Sequence, residues 1–157
     1  MSGLPTESPM TLPLDRREVM LRCLGATMLC GVGGLAFARP QAAADAPPDP
    51  RWHAAALAMR RLAESAGDQP YGAVLVRSGA LVGEAPSRVI ARGDPAAHAE
   101  REAIADAQRR HGASAVEGSV LYSTSRPCRD CEAAAAAAGV SRMVFGEGLH
   151  DAGRPRP

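Results

Sequence analysis

The sequence predicts an α/β domain in which helices cover both faces of a mixed sheet of roughly four strands. Three observations carry that prediction. Apolar residues recur at helical spacing between Arg51 and Ser65. Four short apolar or β-rich runs, GAVLV, ALVGE, SVLYST and MVF, read as strands. Helix-forming segments stand between the second and third of these runs and between the third and fourth. The order is therefore helix-strand-strand-helix-strand-helix-strand.

Each element has a local reason. Trp52, Ala55, Ala56, Met59 and Leu62 form one stripe of the first helix, and Gly67-Asp68-Gln69-Pro70 breaks it. GAVLV (72–76) is a continuous apolar run, as expected of a strand covered on both faces. Ser78-Gly79 turns the chain into ALVGE (80–84), which predicts a hairpin. APSRVIARG (85–93) reads as a loop. Asp94 as N-cap and Pro95 at the first helical position then predict a helix running to about Arg110, with Ala99, Ala103, Ile104 and Ala107 inward. SVLYST (119–124) is the third strand. Pro127 opens another helix, which the alanines of 133–138 sustain and Gly139 ends. MVF (143–145) is the fourth strand, and the tail after Gly146 shows no periodicity.

A chain of 157 residues is one domain's worth. Hydrophobic residues make up 46 % and aromatics 3 %, so the core is built mainly of Ala, Val and Leu. Lysine is absent, all 18 basic residues are arginine, and the formal net charge is +1. That balance gives no broad electrostatic footprint for nucleic acid, and none is expected as a partner.

The first 44 residues read as an address. LDRREVMLR (14–22) places Arg16-Arg17 ahead of the Gly-rich apolar run 23–38, which is too short for a comfortable membrane span. Small residues follow, with Ala42-x-Ala44 as the expected cut. The arrangement resembles a bacterial twin-arginine export signal, with Arg16 and Arg17 as its signal residues. It implies an exported, periplasmic protein with no stable membrane insertion after cleavage. An uncleaved anchor, or a cytoplasmic product started downstream at Met10 or Met20, is the alternative. Residues 45–50, including APPDP, read as a stiff linker, and residues 51–157 as the domain. From Asp45 onward 14 Arg face 14 Asp plus Glu, and of the four cysteines only Cys128 and Cys131 remain. Two cysteines three positions apart do not make a disulfide framework.

The chemistry lies in DPAAHAEREA (94–103) and STSRPCRDCEAAAA (123–136). Both sit at the start of a predicted helix, where unpaired N–H groups and the positive dipole end lower a thiol's pKa. Cys128 and Cys131 on one turn can grip a single ion, and His98 can add a neutral imidazole. Two thiolates and one imidazole leave zinc formally neutral with a fourth position open, the layout of a catalytic site. Zinc so held lowers the pKa of bound water from about 15.7 to roughly 7. Glu100, close to the ion without being a ligand, can move protons onto a ring nitrogen and a departing amine.

His98-Ala99-Glu100 followed by Pro127-Cys128-Arg129-Asp130-Cys131 matches the zinc-deaminase signature. Together with DQPYGAVLV (68–76), VLYSTSRPCRDC (120–131) and GVSRMVFG (139–146), it resembles the cytidine deaminase-like superfamily, in the branch of guanine and tRNA adenosine deaminases. The resemblance covers about residues 52–148. It implies a three-layer α/β/α sandwich, zinc held by His98, Cys128 and Cys131, Glu100 as proton shuttle, a small amino-heterocycle as substrate and commonly a homodimer. Three features depart from the pattern. Ser87 stands where the purine-directed branch carries a base-reading asparagine, and is the candidate substrate contact. Arg126 replaces the frequent glutamate before Pro-Cys, a charge reversal beside the metal. The chain is also C-terminally short of the family's further helix or strand.

Blander readings stand beside these. Cys-x-x-Cys in an exported protein also fits a thioredoxin-like redox pair, which predicts no bound metal and leaves the HAE motif unexplained. A zinc-stabilised binding protein without turnover is the other alternative. His53, His111 and His150 have no partner pattern and read as surface residues. Arg109-Arg110 reads as a helix C-terminal charge.

Overall fold

A computed structural model describes residues 46–157. Residues 1–45, with Arg16, Arg17 and the export signal read into 1–44, lie outside the described residues.

Helix α1 (Pro50–Ser65) starts where Asp49 accepts a hydrogen bond from the Arg51 N–H and Pro50 takes the first helical position. Strands β1 (Gly72–Arg77) and β2 (Ala80–Pro86) form an antiparallel hairpin through Ser78 and Gly79. A four-residue helix, α2 (Val89–Arg92), follows, then α3 (Ala99–His111) and a single 3-10 turn, Ala113–Ala115. Strand β3 (Val120–Ser123), helix α4 (Arg129–Ala137) and strand β4 (Arg142–Phe145) make a parallel crossover, and β5 (His150–Gly153) returns antiparallel to β4. The sheet is open and mixed, in the order β2-β1-β3-β4-β5.

Strand alternation sorts the core into two layers. Val74, Val76, Val120, Tyr122 and Val144 point to one face, where Trp52, Ala55, Ala56 and Met59 of α1 pack on them. Ala73, Leu75, Leu121 and Met143 point to the other, under Ala99, Ala103, Ile104 and Ala107 of α3 and Ala135 of α4. This is the three-layer α/β/α arrangement that the sequence pattern and the resemblance led one to expect. Each fully buried Val or Leu contributes about 1.5–3 kcal/mol by leaving water.

Two glycines set how closely the helices approach. A Cβ on Gly72 would sit 2.2 Å from the Ala56 carbonyl oxygen of α1, and one on Gly83 2.5 Å from the Ala103 carbonyl oxygen of α3. Glycine at those strand positions lets helix backbone rest directly on sheet backbone.

Four expectations need correction. The sheet has five strands, not roughly four, because the tail contributes β5. HDAG carries no apolar alternation, and as an exposed edge paired on one side only it needs none. Helix α3 begins at Ala99, not at Asp94-Pro95. Asp94 caps a turn instead: its side chain accepts from the Ala96 N–H, and its carbonyl from the Ala97 N–H. Within the expected loop 85–93, Val89–Arg92 forms α2, held by a buried carboxylate described below. His53 is buried on α1, not on the surface. No helix among the described residues is long and apolar enough to cross a membrane.

Candidate metal centre and catalytic glutamate

Two helix starts meet on the α3/α4 face. His98 is the N-cap of α3 in extended backbone conformation, which swings its ring off the helix axis. Cys128 is the N-cap of α4, and its sulfur accepts a hydrogen bond from the Cys131 N–H at 3.4 Å. The correction to the start of α3 sharpens the site: the turn at 94–97 delivers His98 as the cap instead of burying it in a continuing helix.

His98 Nδ1 lies 3.3 Å from Cys131 Sγ and 3.6 Å from Cys128 Sγ. The three ligand atoms all fall within 4.8 Å of one another. Zinc–sulfur and zinc–nitrogen bonds of about 2.3 and 2.0–2.1 Å in a tetrahedron give ligand–ligand edges of roughly 3.5–3.8 Å. The observed sulfur–nitrogen separations are close to that figure, and two thiols with one imidazole are zinc's preferred donor types, so the residues present fit the ion. Burial, and next the charge of Glu100, push the Cys131 thiol well above the ordinary thiol range. A divalent cation between the ligands reverses that balance by stabilising the thiolate.

Glu100, one residue into α3, is 4 % exposed. Its Oε1 accepts a hydrogen bond from the Ser123 hydroxyl at 2.9 Å, and its Oε2 lies 3.7 Å from Cys131 Sγ. The carboxylate is thus next to the metal cluster but outside the ligand set. A cavity of about 180 Å³ opens at the cluster, lined by Pro95, Ala96, His98, Arg101, Cys128, Asp130 and Cys131.

Ser123 was not singled out from sequence. The available signal was a hydroxyl at the end of an apolar strand, in phase with Leu121 and therefore on the same face as the HAE helix. Asp68 belongs to the helix break and to the stretch 68–76 that carries the resemblance, and neither reading gives its side chain a role. It is buried, and its carboxylate collects the Ser87 hydroxyl at 2.9 Å, the Gln69 N–H at 2.8 Å, and the Ile90 and Ala91 N–H groups at 3.0 and 2.9 Å. Burial alone would raise its pKa; the hydrogen bonds from Ala91, Gln69, Ser87 and Ile90 outweigh it and hold the carboxyl below its usual value. Asp68 therefore caps α2 and ties down the loop leading to His98. Ser87 is 2 % exposed, donates its hydroxyl proton to Asp68, and is not among the residues lining the cavity at the cluster. Arg126 is exposed, and its charge helps hold down the Glu132 pKa, after the larger effect of Arg156.

Residues 47–147 match the family described as the cytidine and deoxycytidylate deaminase zinc-binding region. The tRNA-specific adenosine deaminase of Aquifex aeolicus is 36 % identical over 90 residues, covering 57 % of this chain and 60 % of that protein. The guanine deaminase of Bacillus subtilis is 40 % identical over 62 residues, 40 % of each chain. An X-ray structure of guanine deaminase from Bacillus subtilis superposes with a TM-score of 0.57 at 32 % identity, covering 64 % of each chain. A structure from work on A-to-I editing by tRNA:A34 deaminases gives a TM-score of 0.59 at 33 % identity, covering 62 % of this chain and 71 % of that one. The chain thus spans only 60 % and 40 % of the lengths of the two curated relatives. With the family match over most of its described length, the fold, and a His/Cys/Cys cluster beside a buried glutamate, the chain belongs to the cytidine and deoxycytidylate deaminase zinc-binding family.

Proposed function

We propose that this chain is a zinc-dependent hydrolytic deaminase that releases ammonia from a small amino-substituted base or nucleoside. The observation that carries the reading is the convergence of His98, Cys128 and Cys131 within 4.8 Å, with the buried Glu100 beside them and outside the ligand set. Zinc held there supplies a Lewis acid that makes water a nucleophile near neutral pH. Glu100 does the proton work. Ser123 fixes one carboxylate oxygen, leaving the other to take a proton from the attacking water and pass it to the ring nitrogen of the substrate. A second proton passes to the departing amine. The amidine carbon gains a carbonyl oxygen and loses ammonia, with no change in oxidation state.

The formally neutral balance from Asp45 onward, 14 Arg against 14 acidic residues, favours a small molecule over a structured RNA. The relatives' named substrates, guanine and tRNA adenosine, frame the test set. Zinc-loaded protein should release ammonia from at least one of guanine, adenine, adenosine, cytidine and related amino-heterocycles. Turnover confined to a tRNA anticodon stem-loop contradicts the small-molecule reading. Silence across the panel, with zinc confirmed at one ion per chain, favours a zinc-stabilised binding protein instead; the departures at Ser87 and Arg126 are what keep that second reading in view.

We propose further that the protein is exported already folded by the twin-arginine route, with zinc loaded before its thiols meet an oxidising compartment. Arg16-Arg17 and the apolar run 23–38 support this. Replacing both arginines by lysine should block export. Export unchanged in that variant contradicts the assignment.

A further inference from the structure

The first turn of α4 carries both cysteine ligands, and two bonds close it. The Cys131 N–H reaches Cys128 Sγ at 3.4 Å, and the Glu132 N–H reaches the Cys128 carbonyl at 2.9 Å. A helix start leaves its first N–H groups without helical partners and opens more readily than the middle of an element. A metal gripped through such a turn is held more firmly when something outside the helix pins it. Glu132, half-buried and directly after Cys131, has that pin in the C-terminal tail. Its Oε1 accepts from the Arg156 backbone N–H at 3.1 Å and from Arg156 Nε at 2.9 Å, across 24 residues of sequence.

The tail can act as an anchor because it is itself tied to the sheet. Strand β5 pairs with β4, with Gly153 opposite Met143, and the Asp151 carboxylate accepts from the Arg142 guanidinium at 2.7 Å. Pro155, between that strand and Arg156, is buried. The steps from Gly153 to Arg156 span at most about 11 Å, so Arg156 stays close to the strand end. Strand β4 in turn lies parallel to β3, where Phe145 pairs with Ser123, whose hydroxyl holds Glu100. One run of contacts therefore joins the cysteine turn to the sheet that fixes Glu100, whose Oε2 lies 3.7 Å from Cys131 Sγ.

We infer that Glu132 and Arg156 are positioning residues of the metal centre: Arg156 acts through Glu132 to hold the Cys128–Cys131 turn in its ligating geometry. The inference rests on the zinc reading of the cluster and goes beyond it, since neither residue belongs to the ligand group or lines the cavity there. Arg156 is exposed, and an ion pair of that kind contributes little to global stability. Its effect is local and separable from folding. Charge makes the expected result one-sided. Arg156 is a cation near a cation site, so electrostatics alone has its removal strengthen zinc binding or leave it unmoved. Loss of the clasp weakens it.

The test uses the full chain, with three readouts: zinc affinity by chelator competition, the rate of zinc release, and the visible spectrum of the cobalt(II)-loaded protein, which reports ligand geometry. Glu132→Ala removes both bonds and should weaken zinc and speed its release by about ten-fold or more. Arg156→Ala keeps the backbone N–H and should do the same by about three-fold. Both should shift the cobalt spectrum. Arg156→Lys, which keeps the charge, should retain most of the parent's affinity. The double variant Glu132→Ala/Arg156→Ala should be no worse than Glu132→Ala alone, because the pair acts as a unit. Two controls should leave all three readouts unmoved: Arg154→Ala, a neighbouring charge on the same tail, and Val74→Ala, which lowers stability on the opposite face of the sheet. Zinc affinity in Arg156→Ala equal to or above the parent's, additive losses in the double variant, or equal losses in Val74→Ala would overturn the inference. A parent that binds no zinc overturns the metal reading and the clasp together. Clasp effects on zinc in a protein that releases no ammonia support the inference and contradict only the deaminase reading.

Discussion

The two faces of this sheet share the same strands and bury different chemistry. Against α1 the sheet presents Val74, Val76, Val120, Tyr122 and Val144, and the tyrosine hydroxyl accepts from the Asp49 N–H where the chain enters the helix. Against α3 and α4 the apolar residues share their layer with buried Glu100 and Ser123, while α3 also buries Glu102 and Asp106. Each of the three buried carboxylates of α3 has a partner: Ser123 for Glu100, Arg92 and Arg88 for Glu102, and Arg109, Arg110 and the Glu84 N–H for Asp106. These carboxylates can be buried there because each is satisfied. The α1 face supplies stability, and the α3/α4 face gives up apolar burial to hold chemistry.

The largest test of that division compares one residue from each face. Cys131→Ala should weaken zinc by more than about 100-fold in a chelator competition, since it removes a ligand outright. Val74→Ala, buried under α1, should cost about 1–3 kcal/mol in urea denaturation and leave zinc affinity unchanged. Loss of zinc in both variants would mean that the faces are not separable.

Next come the glycines. Gly72→Ala and Gly83→Ala should each destabilise by about 1–3 kcal/mol, near the upper end, because the atoms in the way are helix backbone. Only Gly83→Ala, which displaces α3 and with it His98, should also weaken zinc binding. Equal zinc affinity in the two variants would sink that distinction.

Smaller effects should follow from two buried serines at the two ends of β3, Ser119 just before its first residue and Ser123 its last. Ser123→Ala removes the hydrogen bond to Glu100 and should cost about 1–3 kcal/mol of stability and lower kcat with zinc content intact. The Ser119 hydroxyl is fully buried and has no partner among the described residues. Ser119→Ala should therefore be neutral or stabilising; a clear loss of stability would show that an interaction had been missed.

The smallest effect is on acid stability. The Asp68 carboxyl titrates below its unfolded value of about 3.9, so its contribution is fully present above that pH and is lost as pH falls through the lower folded value. Asp68→Asn should flatten the dependence of the urea midpoint on pH below about 4. An unchanged slope would remove Asp68 as the cap of α2.

What was legible in the sequence follows the same physics. Apolar runs and helical stripes placed β1 to β4 and all three long helices, because burial writes itself into periodicity. The convergence of His98, Cys128 and Cys131 beside Glu100 was legible because motif spacing is a local property of two helix starts. Edge strand β5 was not, since HDAG gains its order from backbone pairing and from the Asp151–Arg142 ion pair. Helix α2 was hidden because its cap, Asp68, lies some twenty residues upstream. The start of α3 was misplaced because an Asp-Pro pair signals a helix and a turn alike, and here the turn wins through Asp94's own bonds to Ala96 and Ala97. Ser123 required knowing which strand faces which helix, information that no local window holds.

The central claim is that Glu100 moves protons beside a zinc ion that it does not bind. Zinc content and ammonia release, measured side by side for the parent and for Glu100→Gln with guanine, adenosine and cytidine as probes, test it most directly. The account predicts one zinc per chain in both proteins and ammonia release slower by about 10²–10⁴-fold in the variant. Equal turnover in the two, or loss of zinc from Glu100→Gln, would contradict it.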